Sequence, residues 1–369
     1  MTKVQKIITA ILSVTACVLV ILVGYASWET YQFWASQPLG AALPTSQYTP
    51  IGLPATWTPT PGSVGLKPFV ASTLAKSPLC GGPPVMSILA IGSDTRSTGY
   101  TWGLSDVMRV IRIDFVKPSI TVLDFPRDLW VYIPYIADNI NGQDHEKLNQ
   151  AYLYGNPGDG FKYWDDPSAG PGLLTLTLNQ NFGVKVDHYI AVNMNTFVKL
   201  VDAVGGIDVT LDESKGGGHL QKGAEHLDGT QALALARNRT EGVFSRGQNQ
   251  NIVLCGLQKK LTSPGVITKI PQLVGSFKNS VQTDLSPAIM SQLACLATQL
   301  PRKNIALYSF PENLFTGARK YDPVFKKDVF IWDVDFSTLR NYVAEFQDGA
   351  WPDDAGDTPS SNQSTAFCQ

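Results

Sequence analysis

Apolar and polar positions divide this chain into four stretches. Lys3 and Lys6 precede an apolar run from Ile7 to Ala26 that carries no charge. Residues 27–84 have no regular period and are rich in Pro, Thr, Ser and Gly, as in Thr56-Trp57-Thr58-Pro59-Thr60-Pro61-Gly62. Such a composition cannot bury a core and behaves as a semi-extended linker. From residue 85 to 346, short β-branched runs alternate with longer segments of helical spacing. The runs predict strands over Val85–Ile91, Val107–Phe115, Ile120–Phe125, Trp130–Ile133, Asp187–Val192, Ile207–Leu211 and Ile305–Phe310. The spacing predicts helices over Lys147–Tyr154, Leu173–Phe182, Met194–Val204, Asp228–Arg237, Asn251–Leu261 and Ser286–Leu300. Short turns join some strands and helices join others, which predicts one α/β domain of the α-β-α sandwich kind, its mixed central sheet flanked by helices. Residues 347–369, rich in Asp, Ser, Gly and Pro, predict a disordered tail.

The first run bears on location. About twenty apolar residues suffice for a transmembrane helix, and Trp28, Tyr31, Phe33 and Trp34 follow it as an interfacial aromatic cluster. With the lysines on the short side, residues 1–6 are expected in the cytoplasm, residues 7–26 as a single-pass anchor, and the rest outside the cytoplasm. A cleaved signal peptide, or a lipid-modified Cys17 after Val14-Thr15-Ala16, are the competing readings, but the run continues well past Cys17. Outside the cytoplasm Cys80, Cys255, Cys295 and Cys368 are free to form disulfides. The pairing expected is Cys255 with Cys295, both in helical segments. A formal net charge of −2 offers no global basic field for nucleic acid, so any anion site has to be local.

Local charge is uneven. The strand Ser87–Ile91 ends in Gly92-Ser93 and delivers Asp94 and Arg96, and Asp106 opens the next strand after a glycine-containing loop. The strand from Ile120 runs into Pro126-Arg127-Asp128. Arg237, Arg239 and Arg246 form a third cluster. On one continuous helix Arg237 and Arg239 would point about 200° apart, so they share a ligand only if the helix ends near Asn238. Guanidinium forks suit phosphate oxygens, and paired carboxylates suit Mg2+, which takes its remaining ligands from phosphate and water. Taken one at a time, these groups also fit solvated surface arginines and capped loops. No phosphate-binding Gly-rich Lys-Ser/Thr loop, Gly-x-Ser-x-Gly elbow or His-Glu-x-x-His motif is present.

Taken together and in order, the segments resemble the LytR-CpsA-Psr family of cell-envelope glycopolymer ligases. The pieces are Leu89–Arg96, Ser105-Asp106, Phe125–Asp128, Lys147–Tyr152, Leu200–Ile207, Leu227–Leu233 and Ala236–Arg239. The resemblance implies a phosphotransferase that moves a phosphoglycan from a polyprenyl-pyrophosphate carrier to a cell-wall acceptor such as peptidoglycan. It implies Mg2+ held by Asp94 and Asp106, and a pyrophosphate clamp of Arg127, Arg237, Arg239 and Arg246 with Arg96 nearby. Asp94, Arg127 and Asp128 are the implied catalytic residues, with Asp94 or Asp128 to take the proton of the attacking hydroxyl. An apolar cleft is expected for the lipid tail. The chain departs from the pattern at Val243, where an acid is usual, at Asn249, where an arginine is usual, and at Asp124, where a serine is common. A lipid-pyrophosphate hydrolase and a non-catalytic polyprenyl-phosphate binder are therefore the alternatives.

Overall fold

The computed structural model describes residues 38–44, 77–95, 103–137, 142–156, 164–238, 245–267, 281–351 and 366–368. The anchor expected over residues 7–26 lies outside them. Among the described residues no helix is long and apolar enough to cross a membrane.

The elements follow the hydrophobic pattern closely. Strands β1 (Val85–Ser93), β2 (Ser105–Asp114) and β3 (Ser119–Asp124) form an antiparallel meander. Strand β4 (Trp130–Tyr132) pairs outside the main sheet with the short β5 (His145–Lys147), which leads into helix α1 (Leu148–Gly155). Helix α2 (Ala169–Phe182) precedes β6 (His188–Asn193), and α3 (Met194–Ala203) precedes β7 (Ile207–Leu211). Strand β7 pairs with β8 (Gly223–Leu227) as a separate hairpin. Helices α4 (Gly229–Arg237), α5 (Ser245–Leu261), α6 (Pro264–Ile267) and α7 (Pro287–Gln299) follow, with β9 (Val281–Thr283) before the last. Strand β10 (Ile305–Ser309), the hairpin β11 (Thr316–Asp322) and β12 (Lys327–Asp333), helix α8 (Phe336–Asp348) and β13 (Ala366–Phe367) complete the domain.

The main sheet has the order β13-β10-β3-β2-β1-β6-β9, with β1 parallel to β6 and β3 parallel to β10. Its strands alternate side chains between two covered faces. Leu89, Ile91, Met108, Val110 and Leu123 point to the face shared with α1, α2 and α8. Met86, Ile88 and Ile113 point to the other, against Leu296 of α7, and Val122 and Ile305 pack there with Leu254 and Cys255 of α5. The mixed sheet between helices agrees with the pattern read from sequence. Of the four strands in the hairpins β7–β8 and β11–β12, only β7 is among the expected strands: β8 and β11 carry no apolar run, and the short run Val329–Trp332 of β12 stands between charged residues.

Both termini of the domain are tied down. Cys80 bonds Cys295 with Cα atoms 5.9 Å apart, and Cys255 bonds Cys368 at 5.0 Å. The expected Cys255–Cys295 pair is therefore incorrect. Each of those two cysteines sits in a helix, but they pack into different apolar clusters, Cys295's bonded partner Cys80 with Leu296 and Cys255 with Cys368. Within the expected linker, Leu43 packs on the main core. Within the expected tail, Trp351 is buried in that core and Cys368 is bridged to α5.

Glu146 of β5 and Asp322 at the end of β11 are both fully buried, and Asp322 raises the cost of ionising Glu146. Asp322 is also the turn acceptor for the amides of Val324 and Phe325, each at 2.9 Å. Burial, and then Asp322, push Glu146 from its ordinary 4.5 to about 8. Between those values the folded chain holds a proton that the unfolded chain releases, so stability falls as pH rises, by up to about 1.4 kcal/mol per pH unit. Glu146→Gln, which keeps a donor but cannot titrate, is expected to flatten that slope in urea denaturation of the full chain at pH 5, 6.5 and 8. A slope unchanged by the substitution would show that the pair holds no proton.

Candidate active site

Four strands deliver their chemistry to one end of the sheet. Asp94 follows the carboxyl end of β1, and Asp124 closes β3 just before Pro126-Arg127-Asp128. Ser309 ends β10, which runs parallel to β3, and Phe310 follows it. Asp106 lies near the start of the antiparallel β2 and so reaches the same end. Carboxyl ends of strands are where ligands bind open α/β sheets. Asp106 also sits on a β-bulge: Gly92 pairs with Val107 and Ser93 with Ser105, leaving Asp106 without an opposite residue. A bulge re-aims a side chain that regular alternation would send elsewhere. Gly92 permits the close approach, since a Cβ there would lie 2.9 Å from that of Val107.

Arg127 is the hub. Its guanidinium binds Asp106 through Nη1 and Asp128 through Nε at 3.3 Å. Lys147 Nζ donates to the second oxygen of Asp128 at 2.9 Å. Burial works against the charge on Asp128, but Arg127, Lys147 and Arg246 outweigh it and hold the carboxyl below its ordinary value. Asp94 is placed differently. Its Oδ1 accepts one backbone hydrogen bond, from Leu104 at 2.7 Å. Burial, and then Asp106, push it above its ordinary value against that bond and the charges of Arg127 and Arg237. Arg237 is exposed in the last turn of α4, and the helix ends at an extended Asn238, the stop that the i, i+2 arginine spacing required. Arg96 and Arg239 lie outside the described residues.

Beneath this row lies a second charged set. Arg109 and Asp124 are directly opposed on β2 and β3, and Arg109, 2% exposed, faces Asp124 Oδ1 at 3.3 Å. From α5, Asn251 Oδ1 accepts from Arg109 Nη1 at 2.6 Å and Gln250 Oε1 from Nη2 at 3.3 Å. Asp124 is thus the counter-charge of a buried arginine, which accounts for an acid where serine is common. Asn249, in place of the usual arginine, is fully buried, and its amide makes no hydrogen bond among the described residues. Val243 lies outside them. Neither Arg109 nor Lys147 was singled out from sequence. Two arginines, Arg109 and Arg112, interrupt the apolar run Val107–Phe115, a signal that marks the strand without singling out Arg109.

A pocket of about 410 Å³ opens beside Arg127. Asp106, Asp128, Lys147 and Arg246 line its charged end, and Phe310, Phe315, Phe330 and Trp332 its aromatic end. No cluster of three or more His, Cys, Asp or Glu side chains fit for a metal occurs among the described residues. Two carboxylates, Asp94 and Asp106, are within electrostatic reach of each other, which suits Mg2+ completed by phosphate and water oxygens.

Losing the Arg109 counter-charge is costly, because a buried guanidinium then lacks compensation. Asp124→Asn is expected to destabilise the chain by about 1–3 kcal/mol in denaturant titration. Adding Arg109→Met should recover at least half of the loss. A neutral single substitution would show that the pair does not hold α5 to the sheet.

Comparison with known proteins bears on the family and the fold. Residues 83–331 match the LytR_cpsA_psr family. The chain is 32% identical over 206 residues to a Bacillus cereus protein named polyisoprenyl-teichoic acid–peptidoglycan teichoic acid transferase TagU, covering 54% of this chain and 61% of that one. It is 33% identical over 218 residues to the Oceanobacillus iheyensis protein of the same name, covering 58% and 62%, so it spans about three fifths of these relatives' length. Among solved structures, Bacillus subtilis TagV superimposes with a TM-score of 0.54 at 24% identity, covering 72% of this chain and 97% of that one. TagT bound to LIIa-WTA gives 0.53 at 23%, covering 72% and 90%. At these identities the structures establish the fold.

Proposed function

We propose that this chain, which belongs to the LytR-CpsA-Psr family, is an extracytoplasmic, membrane-anchored phosphotransferase that moves a phosphoglycan from a polyprenyl-pyrophosphate carrier to a peptidoglycan-like acceptor. The observation that carries the reading is Arg127, held between Asp106 and Asp128 beside a pocket with one charged and one aromatic end. The transferases named among its relatives act, by their names, on polyisoprenyl-linked teichoic acid and peptidoglycan.

In this reading Arg127, Arg237 and Arg246, with Arg239 and Arg96, bind the pyrophosphate oxygens. A guanidinium already fixed by two carboxylates needs little reorganisation as charge builds on the phosphate. Asp94 and Asp106 would hold Mg2+, which supplies further neutralisation of phosphate charge. Asp128, ionised and bonded to both Arg127 and Lys147, serves to position them. Asp94, whose side chain has one hydrogen bond among the described residues, is less encumbered than Asp128 and is the better placed acceptor for the proton of the attacking hydroxyl.

The test incubates the detergent-solubilised chain with a polyprenyl-pyrophosphate-linked glycan, Mg2+ and peptidoglycan fragments, and follows products by mass spectrometry. Acceptor-dependent phosphoglycan transfer is expected, lost on chelation of the cation. Asp94→Asn and Arg127→Ala should each lower turnover about a hundredfold or more, and Arg127→Ala should also weaken lipid binding. Release to water alone would instead identify a hydrolase, and binding without turnover a non-catalytic binder.

A further inference from the structure

The aromatic end of the pocket belongs to an element that the phosphate chemistry leaves unused. Phe330 and Trp332 alternate along β12 with the buried Val329 and Ile331, so both rings stand on the pocket side. Their centroids are 4.9 Å apart in an edge-to-face pair, and Phe315 packs edge-on against Trp332 at 6.1 Å. Gly317 lies opposite Trp332 on β11. A Cβ at that glycine would come within 3.1 Å of the Phe330 ring and 3.7 Å of the Trp332 ring. The missing side chain lets the rings lie close over the hairpin. The platform is also coupled to the clamp, since Trp332 N donates to Asp128 O at 2.9 Å.

The polar groups around these rings decide what they hold. Asp124, Gln250 and Glu312 line the same pocket, and the first two are engaged with Arg109. A hydrocarbon tail would cover the Glu312 carboxylate without offering it a hydrogen bond. A pyranose offers apolar C–H faces for the rings and a hydroxyl for Glu312, the combination of apolar walls and few placed polar groups found in small-ligand sites. We infer that Phe315, Phe330 and Trp332, with Glu312, form a sugar subsite that holds the pyranose ring next to the phosphate gripped by Arg127 and Arg246. The assignment rests on the proposed phosphotransferase reading, and the ring comes from either the donor glycan or the acceptor.

The experiment measures equilibrium binding of three probes to the detergent-solubilised full chain. They are sugar-free polyprenyl pyrophosphate, the same lipid carrying one N-acetylglucosamine, and a soluble N-acetylglucosamine–N-acetylmuramic acid disaccharide. Trp332→Ala is expected to weaken binding of a sugar-bearing probe about tenfold while leaving the sugar-free lipid unchanged, and Trp332→Phe should retain most of the affinity. Gly317→Val, on an exposed strand position, should show the same selective loss by displacing the rings without deleting them. Loss confined to the lipid-linked sugar assigns the ring to the donor, and loss confined to the disaccharide assigns it to the acceptor. Equal loss for both lipids, or no loss in either variant, would overturn the subsite. If the unsubstituted chain binds neither lipid, the phosphotransferase reading fails, and the disaccharide still decides the subsite: selective loss in Trp332→Ala supports it and absence of binding overturns it.

Discussion

A single buried guanidinium sets the arrangement on which the rest depends. Arg109 lies within the sheet, 2% exposed, facing Asp124 on the next strand and the Gln250 and Asn251 amides from α5. A charge taken out of water is stable only where partners surround it. The geometry that supplies them fixes α5 on the sheet in one register, and with it Arg246 in the helix's first turn. Three pieces remote in sequence, residues 109, 124 and 250–251, are thereby brought to one end of the sheet where Asp106 and Arg127 also emerge.

Above that base the charged residues divide their labour by environment. Asp128 is held ionised by Arg127, Lys147 and Arg246, whereas Asp94 is partly withdrawn from water and keeps one backbone partner among the described residues. Two carboxylates so differently placed are suited to different tasks, which is why the proposed mechanism gives Asp128 positioning and Asp94 the proton. The hairpin β11–β12 adds a wall of different chemistry. It is joined to the clamp through Trp332 and Asp128 and to β5 through the buried pair Glu146 and Asp322. Its position therefore follows the same loops that hold the phosphate-binding side chains.

The two disulfides act on the periphery of this frame. One fixes the approach to β1 against α7, and the other fixes the last strand against α5. Each stabilises mainly by restricting the unfolded chain, by roughly 2–5 kcal/mol for a bridge of this kind. The bridges suit the oxidising location that the proposed anchor implies. The second also ties the C-terminus to the helix that carries Arg246.

The sequence by itself determined the local elements, since period-2 and period-3.6 patterns are properties of neighbouring residues. It located β1 to β4, β6, β7, β10 and helices α1 to α4 and α7 to within a few residues, missed the first six residues of α5, and placed a helix stop at Asn238. Ordered motifs also picked out Asp94, Asp106, Arg127 and Asp128, which the fold brings to one end of the sheet. Tertiary structure alone decided which cysteines pair, because bonding depends on which apolar cluster each helix joins. It alone decided the aim of Asp106, since a bulge is a mismatch between two strands and neither strand encodes it separately. The partnership of Arg109 with Asp124 and α5, and the ring platform over Gly317, likewise exist only between segments far apart in the chain. Contacts of that kind are set by packing, and no local pattern of hydrophobic and polar positions carries them.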